Sequence, residues 1–243
     1  MDKFENKFKE IRKFCEANTN ADNIKKYARY FTEGFDAYGL GMEVFQPQLE
    51  KWLEAWKDEM SMEDYLKLGD LLISTGKYEE ASYAISFIHS NTDELKPEMF
   101  EHFGNWLEKH VVNWGHTDVM SGKILAHFFV HQLLEIEVFN NWVSSEGKWK
   151  RRAVPVTLVE IVKTDIDLKR IFAIIDPLMM DEEKKVQQGL GWLLRECWKK
   201  EREKTETFLL KWKETCGRTI IQYATEKMNK EERLRFRRTK KVK

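Results

Sequence analysis

The sequence predicts an all-α protein, a right-handed solenoid of antiparallel helix pairs with a concave face. Three observations predict this class. β-Branched residues are few while Lys, Glu, Leu and Trp are abundant, which favours helices over strands. Apolar residues recur at steps of three and four, and turn-like breaks return at a steady interval. Because one pair cannot bury its own apolar stripe, neighbouring pairs are expected to stack.

The breaks divide the chain into segments of similar length. Counted from the first residue of each break, they are 38, 33, 33 and 36 residues apart, which is typical of a helix pair. The second helix of each pair is expected to begin just after a break, which places residues 114–118, Arg152 and residues 187–195 on equivalent helices. Trp114, Asp118 and Arg152 are therefore expected to meet in one groove. The breaks are Gly76-Lys77, Trp114-Gly115, Gly147-Lys148, Met180-Asp181 and Cys216-Gly217.

Individual helices are indicated by caps and by apolar stripes. Ser61 followed by Asp64, and the acids at 181–183 before Lys184, predict helix N-termini at which acids interact with the positive end of the dipole. The stripes that follow the helical period are Tyr65, Leu68 and Leu72; Ile124, Leu125, Phe128, Phe129 and Leu133; Val154, Leu158, Ile161 and Val162; and Val186, Leu190, Leu193 and Leu194.

Composition bounds the class of protein. The 243 residues are 42% apolar and 34% charged, which is ordinary for a soluble helical protein. No apolar run is long enough to span a membrane and residues 1–7 lack the apolar core of a signal peptide, so a cytoplasmic protein without membrane contact is expected. The cysteines, Cys15, Cys197 and Cys216, lie far apart without CxxC spacing, which predicts neither disulfides nor a zinc site.

The charge is unevenly distributed along the chain. Its formal net value is zero, but nine Lys/Arg against Glu231 and Glu232 give residues 227–243 a net +7, which leaves −7 on residues 1–226. We predict a single helical-repeat domain over 1–228 and a basic tail over 229–243. The tail can attract polyanions or serve as a solubilising terminus. A third possibility is that Leu234 and Phe236 dock it as a capping helix.

Other chemical motifs are weak or missing. His127 and His131 have the i, i+4 spacing of metal ligands, but the residues between them are Phe, Phe and Val, without the acid of HExxH. A partly buried pair in the core is favoured, and no metal or cofactor is predicted. The sequence contains no Gly-rich phosphate loop, Walker motif or GxSxG.

Three segments in order resemble the AlkD-like DNA alkylation repair family, the HEAT-like-repeat DNA glycosylases. The resemblance extends from about Tyr30, in a Tyr-Phe-x-x-Gly motif, to about Met228. The order and the spacing of about 35 residues make the match specific. The segments are Trp114-x-x-x-Asp118, Trp149-Lys-Arg-Arg152-Ala153 and Gln187-Gln-Gly-Leu-Gly-Trp192-Leu-Leu-Arg195-Glu196.

The resemblance implies hydrolysis of the N-glycosidic bond of positively charged alkylpurines, of the 3-methyladenine and 7-methylguanine class, in duplex DNA. A cationic base is already a good leaving group, so Asp118 is expected to stabilise the developing sugar cation. Trp114 and Trp192 would face the sugar and the lesion, and Arg152 would bind a phosphate. Tyr30 and Arg195 are further candidate DNA contacts, and a monomer is expected.

Two alternatives stay open at this stage: a family member that binds damaged or branched DNA without excision, and a helical-repeat scaffold for protein partners. Taken singly, Trp114 and Trp192 would more often be packing residues, and Asp118 a solvated helix position. The presence of both Asp118 and Arg152 favours the glycosylase, because a mere DNA binder has no need of an acid that would repel phosphate. The excess of basic residues favours either DNA-binding function over the scaffold.

Overall fold

The computed structural model describes residues 3–239, and these residues contain α-helices, short 3-10 segments and one π-helical turn but no strand. The predicted all-α helical-repeat class is therefore confirmed. The chain divides into two compact units, Met1–Met120 and Ser121–Lys243. The single domain predicted for residues 1–228 stays a prediction, and each unit is described by itself.

The described residues of the first unit contain seven α-helices. They are α1 (Lys3–Ala17), α2 (Ala21–Ala28), α3 (Met42–Trp56), α4 (Met62–Ile73), α5 (Tyr78–His89), α6 (Phe100–Lys109) and α7 (Trp114–Met120). α4 and α5 pack as a pair across a short turn, which makes them antiparallel neighbours; α1 packs on both, and α3 and α7 contact α5. The predicted cap is confirmed, because Ser61 and Asp64 form a reciprocal capping box at α4.

Two buried carboxylates of α5 hold the loop between α2 and α3. Glu79 accepts hydrogen bonds from the backbone N–H groups of residues 38, 39 and 40 at 2.7 to 3.1 Å. Glu80 accepts from the Tyr38 hydroxyl and from the Arg12 guanidinium, both at 2.9 Å. Gly39 has a φ of +79° and lies against the Asn20 carbonyl, so a side chain would not fit there. The loop is thereby fixed on α5.

The second unit contains the other seven α-helices of the described chain. They are α8 (Ala126–Val130), α9 (Lys148–Ile161), α10 (Leu168–Ile175), α11 (Lys184–Lys200), α12 (Arg202–Trp212), α13 (Arg218–Ala224) and α14 (Lys230–Leu234). α11 packs between α9 and α13, with α8 against α9 and α12 against α11. A π-helical turn, Ser121–Leu125, precedes α8, and a 3-10 helix, Ile136–Asn141, precedes α9.

The helices that follow the predicted breaks begin at Tyr78, Trp114, Lys148, Lys184 and Arg218, which are 36, 34, 36 and 34 residues apart. The predicted starts after 76–77, 147–148, 180–181 and 216–217 are confirmed within a few residues. The break at Trp114-Gly115 is wrong, because these are the first two residues of α7. The turn precedes them, and Asn113 caps the helix.

The apolar stripe that ends at Leu133 predicts a helix that extends further than the structure shows. α8 ends at Val130, and Gln132 has a φ of +56°, in the left-handed region. The backbone N–H of Leu133 then reaches back to the Phe128 carbonyl at 2.7 Å, a closure typical of a helix C-terminus. Leu133 therefore follows the helix instead of continuing it.

The three cysteines are buried as free thiols, and burial raises the pKa of Cys15 and Cys197. No helix between residues 3 and 239 is long and apolar enough to cross a membrane. His127 is half-buried and His131 is exposed, with their rings stacked at 4.0 Å, so the pair is less buried than predicted.

Candidate functional site

The first turn of α7 is built around Asn113. Its side-chain oxygen accepts the backbone N–H of His116 at 2.8 Å, and the Thr117 hydroxyl donates to its carbonyl at 2.9 Å. Asn113 is therefore the N-cap, and it satisfies a donor that the helix start would otherwise leave unpaired. Trp114 and Asp118 follow at i and i+4, which places them on one face of the helix.

Trp114 is tied to the loop that follows α2. Its indole Nε1 donates to the Tyr30 carbonyl at 3.0 Å, and its ring stacks on Phe31 with centroids 5.7 Å apart. The Tyr30 side chain is 50% exposed and lies beside the Arg29 guanidinium, which donates to its hydroxyl at 2.9 Å. The predicted residues Tyr30 and Trp114 are thus in direct contact.

An aromatic cluster packs against Phe31 and so supports this contact. Phe31 stacks on Phe35 at 4.9 Å, and both rings pack against Tyr78 of α5 at 5.4 and 5.1 Å. Tyr78 in turn stacks on His116 at 4.4 Å. A Cβ on Gly115 would meet the Phe31 ring at 3.4 Å, so the small residue lets the start of α7 approach the cluster closely.

His116 is buried and has a partner at each ring nitrogen. The Asn113 amide donates to Nδ1 at 2.9 Å, because the Asn113 oxygen already accepts a backbone N–H; Nε2 lies 2.9 Å from the Ser82 hydroxyl. Nε2 therefore carries the proton and donates to Ser82, whose own hydroxyl donates to the Tyr78 carbonyl at 2.8 Å.

This arrangement has the residue types of a nucleophilic triad but the wrong proton positions. A base must accept the hydroxyl proton, whereas His116 donates to Ser82. Burial also lowers the pKa of His116 to about 4, which keeps the ring neutral near pH 7. His116 and Ser82 therefore lock α7 onto α5 and supply no nucleophile.

Asp118 is half-buried in the second turn of α7. It lies between the buried Thr117 and the exposed Val119, at the edge of the packed face rather than inside it. A carboxylate at such an edge is partly desolvated, and partial desolvation strengthens its interaction with a nearby charge.

Arg152 lies on α9 in the second unit and is 6% exposed. Its Nη1 donates a short hydrogen bond to the Lys185 carbonyl at the start of α11. This hydrogen bond helps to orient the guanidinium. The neighbouring Arg151 pairs with Asp181 of the segment before α11 at 2.6 Å.

Helix α11 carries the third segment, and much of that segment serves packing. Leu190, Leu193 and Leu194 are fully buried. A Cβ on Gly191 would lie 2.4 Å from Tyr223 Cβ, while a Cβ on Gly189 would lie 3.3 Å from side chains of α9. The two glycines let α11 approach α13 on one side and α9 on the other. Trp192 is half-buried between these contacts.

Arg195 is held by two carboxylates. Nη1 lies 2.5 Å from Glu226, and Nε lies 3.2 Å from Glu196. The Arg195 side chain is only 19% exposed, and its charge is largely compensated by these partners. It therefore has less capacity for a phosphate than an arginine without acidic neighbours.

With this geometry established, comparison with known proteins identifies the family. The model of the DNA alkylation repair enzyme family matches residues 11–228. The chain belongs to this family. A search of curated proteins found no match. A solved structure described as a predicted DNA alkylation repair enzyme from Enterococcus faecalis is similar at a TM-score of 0.76 and 16% identity, covering 88% of this chain and 98% of that chain.

The match to the DNA alkylation repair enzyme family ends at Met228, where the resemblance in sequence was predicted to end, and it begins earlier than Tyr30. The structure joins Tyr30 to Trp114 in the first unit and places Arg152, Trp192 and Arg195 on α9 and α11 of the second. The prediction that Trp114, Asp118 and Arg152 meet in one groove stays a prediction. In residues 3–239 no group of three or more His, Cys, Asp or Glu side chains could hold a metal.

Sequence reasoning missed Asn113 and His116, the residues that hold α7 in this family member. One local signal was available for Asn113. Asn is a preferred N-cap residue, and its side-chain oxygen commonly accepts the backbone N–H of the residue three positions later. The partners of His116 and Arg195 gave no such signal. Ser82 and Glu226 lie 34 and 31 residues away from them in the chain, and only tertiary packing brings them together.

Proposed function

We propose that this protein is a DNA glycosylase that hydrolyses the N-glycosidic bond of positively charged N-alkylated purines in duplex DNA. The observation that carries the proposal is the family match over residues 11–228 in a chain that has Asp118 one helical turn after Trp114. The contact between Trp114 and Tyr30 supports it further, because it fixes an aromatic surface at the start of the helix that carries the carboxylate.

The chemistry requires little machinery. Alkylation at a ring nitrogen makes the purine cationic, so the electron pair of the breaking C1′–N9 bond neutralises the departing base. The sugar becomes an oxocarbenium-like cation, which water attacks at C1′ with loss of a proton. In this proposal Asp118 stabilises the sugar cation electrostatically and orients the water, the role of a fixed charge placed where charge develops.

The remaining residues bind DNA in this proposal. Trp114 and Trp192 offer aromatic faces to the deoxyribose and to the cationic base, and such contacts contribute about 0.5–2 kcal/mol. Arg152 binds a backbone phosphate with a guanidinium that the Lys185 carbonyl orients. Tyr30 extends the aromatic surface beside Trp114. Arg195 has less charge to offer a phosphate, because Glu226 and Glu196 already compensate it.

The test is release of free base from duplex DNA that contains 7-methylguanine, measured by chromatography at saturating enzyme. The parent should release the base, and Asp118→Asn should lower the rate by at least about 100-fold, the cost of removing one fixed stabilising group. Binding to undamaged duplex should stay within a few-fold of the parent, because the amide keeps the shape of the side chain.

Asp58→Asn is the matched control. Asp58 is an exposed acid of the same unit, and it has no hydrogen-bond or ion-pair partner between residues 3 and 239. It should leave the rate unchanged. An Asp118→Asn protein with parental activity would remove the carboxylate from the mechanism. A parent that binds duplex DNA tightly but releases no methylated base would identify a DNA-binding member without glycosylase activity.

A further inference from the structure

A cleft lined by cations lies at the C-terminal end of the second unit. Its volume is about 520 Å³, and it is bounded by the end of α12, by α13 and by the segment that follows α14. No carboxylate lies among the described residues that line it. We name it the basic cleft; its cationic residues are Lys213, Arg218, Arg233, Arg237 and Arg238, and Phe236 is part of its wall.

The basic cleft is built by folding of residues 229–239 onto the last helices. Asn229 and Glu232 form a capping box at α14, and Phe236 is 2% exposed. Arg235 pairs with Glu206 of α12 at 2.5 Å, and the Thr239 hydroxyl donates to Glu214 at 2.9 Å. This part of the predicted basic tail is therefore docked, and its arginines occupy defined positions.

Two arginines of the basic cleft are oriented by hydrogen bonds that do not neutralise them, whereas Lys213 lies 3.7 Å from Glu214. Arg233 donates to the carbonyls of residues 228 and 226, and Arg238 donates to the carbonyl of Cys216. Carbonyls carry no net charge, so both guanidiniums keep theirs. Within residues 3–239, Arg218 and Arg237 have neither a hydrogen-bond partner nor an ion-pair partner, and both are exposed.

The arginines of the basic cleft differ in this respect from other arginines of the second unit. Arg195, Arg202 and Arg235 all pair with carboxylates. A concave surface with one sign of charge focuses the electrostatic potential and raises the local concentration of counter-ions. The basic cleft therefore brings together four guanidiniums, those of Arg218, Arg233, Arg237 and Arg238, that have no carboxylate partner among residues 3–239.

We infer that the basic cleft binds the phosphate backbone of duplex DNA through at least two phosphates, independently of any lesion. Arginine forks match phosphate oxygens in a bidentate manner, and Arg218 and Arg237 both have their forks available. The inference rests on the proposed function in taking DNA as the polyanion. It adds an anchoring site in the second unit, on residues other than the predicted catalytic Asp118 and the other predicted DNA contacts.

The test compares affinity for an undamaged duplex across a series of salt concentrations. Arg218→Ala/Arg237→Ala removes two charges that have no internal partner, so the fold should be retained, as checked by circular dichroism and thermal melting. The slope of log affinity against log salt should decrease by about two, since each phosphate contact contributes about one. The affinity at low salt should decrease by about tenfold.

Two controls separate local from general charge effects. Lys13→Ala/Lys51→Ala removes the same charge from exposed residues of the first unit, and it should leave the slope unchanged. Arg218→Lys/Arg237→Lys keeps the charge and should restore most of the slope. An unchanged slope in the double alanine variant would overturn the inference. So would a variant that loses binding to polyglutamate but not to DNA, because this would identify an acidic protein as the partner.

Failure of this inference is distinguishable from failure of the proposed function. If the parent releases 7-methylguanine and the double alanine variant has the parental salt slope, the basic cleft is not a DNA site. The proposed glycosylase activity is then supported all the same. If the parent releases no base while the slope of log affinity against log salt decreases by two in the variant, the proposed glycosylase activity is wrong. The DNA site in the basic cleft is then supported all the same.

Discussion

Trp114 and Tyr30, 84 residues apart in the chain, are joined by a hydrogen bond of 3.0 Å from the indole N–H to the backbone carbonyl. The bond ties the first residue of α7 to the loop that Glu79 and Glu80 hold on α5. The position of α7, and with it the position of Asp118, therefore depends on the contacts of that loop as well as on the helix cap.

Trp114→Phe should lower the free energy of unfolding by about 0.5–1.5 kcal/mol, the typical net contribution of one hydrogen bond. The phenyl ring keeps the contact with Phe31 but has no N–H to donate. Urea denaturation followed by circular dichroism measures the change. Tyr30→Phe is the matched control, because it keeps the accepting carbonyl and should be nearly as stable as the parent. Equal stability of Trp114→Phe and the parent would show that the bond contributes nothing.

His116 should make stability depend on pH between about 6.5 and 4. Burial lowers its pKa to about 4 in the folded protein, whereas an unfolded chain has the ordinary value of 6.5. Between these values the unfolded state binds more protons, so the free energy of unfolding decreases as the pH falls through this window. The loss from pH 7 to pH 4 should be on the order of 3 kcal/mol.

The His116→Gln variant isolates this contribution. Carboxylates with lowered pKa, such as Asp70 and Glu80, lose their stabilising charge only at lower pH and are present in both proteins. Urea denaturation from pH 4 to pH 8 should therefore give a shallower dependence for the variant between pH 4 and 6.5. Parallel curves for the two proteins in that range would show that His116 does not titrate as proposed.

The two glycines of α11 should respond differently to alanine. At Gly191 a Cβ would lie 2.4 Å from Tyr223 Cβ and 2.9 Å from the Ile220 carbonyl, so α13 must shift. Gly191→Ala should destabilise the protein by about 1–3 kcal/mol, typical of overpacking. At Gly189 the nearest atoms are side-chain carbons at 3.3 Å.

Gly189→Ala serves as the comparison in the same helix. It should be close to neutral, because small side-chain adjustments are offset by the better helix propensity of alanine, about 1 kcal/mol. Thermal melting of both variants tests the difference. If both glycines tolerate alanine equally, the close approach of α11 to α13 does not depend on Gly191.

The N-termini of helices could be predicted where the signal is local. The capping box of Ser61 and Asp64 lies within four residues, and the starts of α9, α11 and α13 follow from Gly or Asp close to the first helical residue. The break predicted at residues 114–115 was wrong. Glycine often marks a turn, but Gly115 lies inside α7, where the close approach of the Phe31 ring favours a residue without a side chain.

The sequence by itself determined the helical class, the repeat interval and the family, because periodicity, turn residues and ordered motifs are all read along the chain. Tertiary structure alone decided which charges are compensated. Arg195 is paired by Glu226 of another helix, whereas Arg218 and Arg237 have no partner within residues 3–239. It also decided that Phe236 docks the basic segment. Such contacts join residues about 20 to 85 positions apart, and their energies depend on burial and distance, which no local pattern contains.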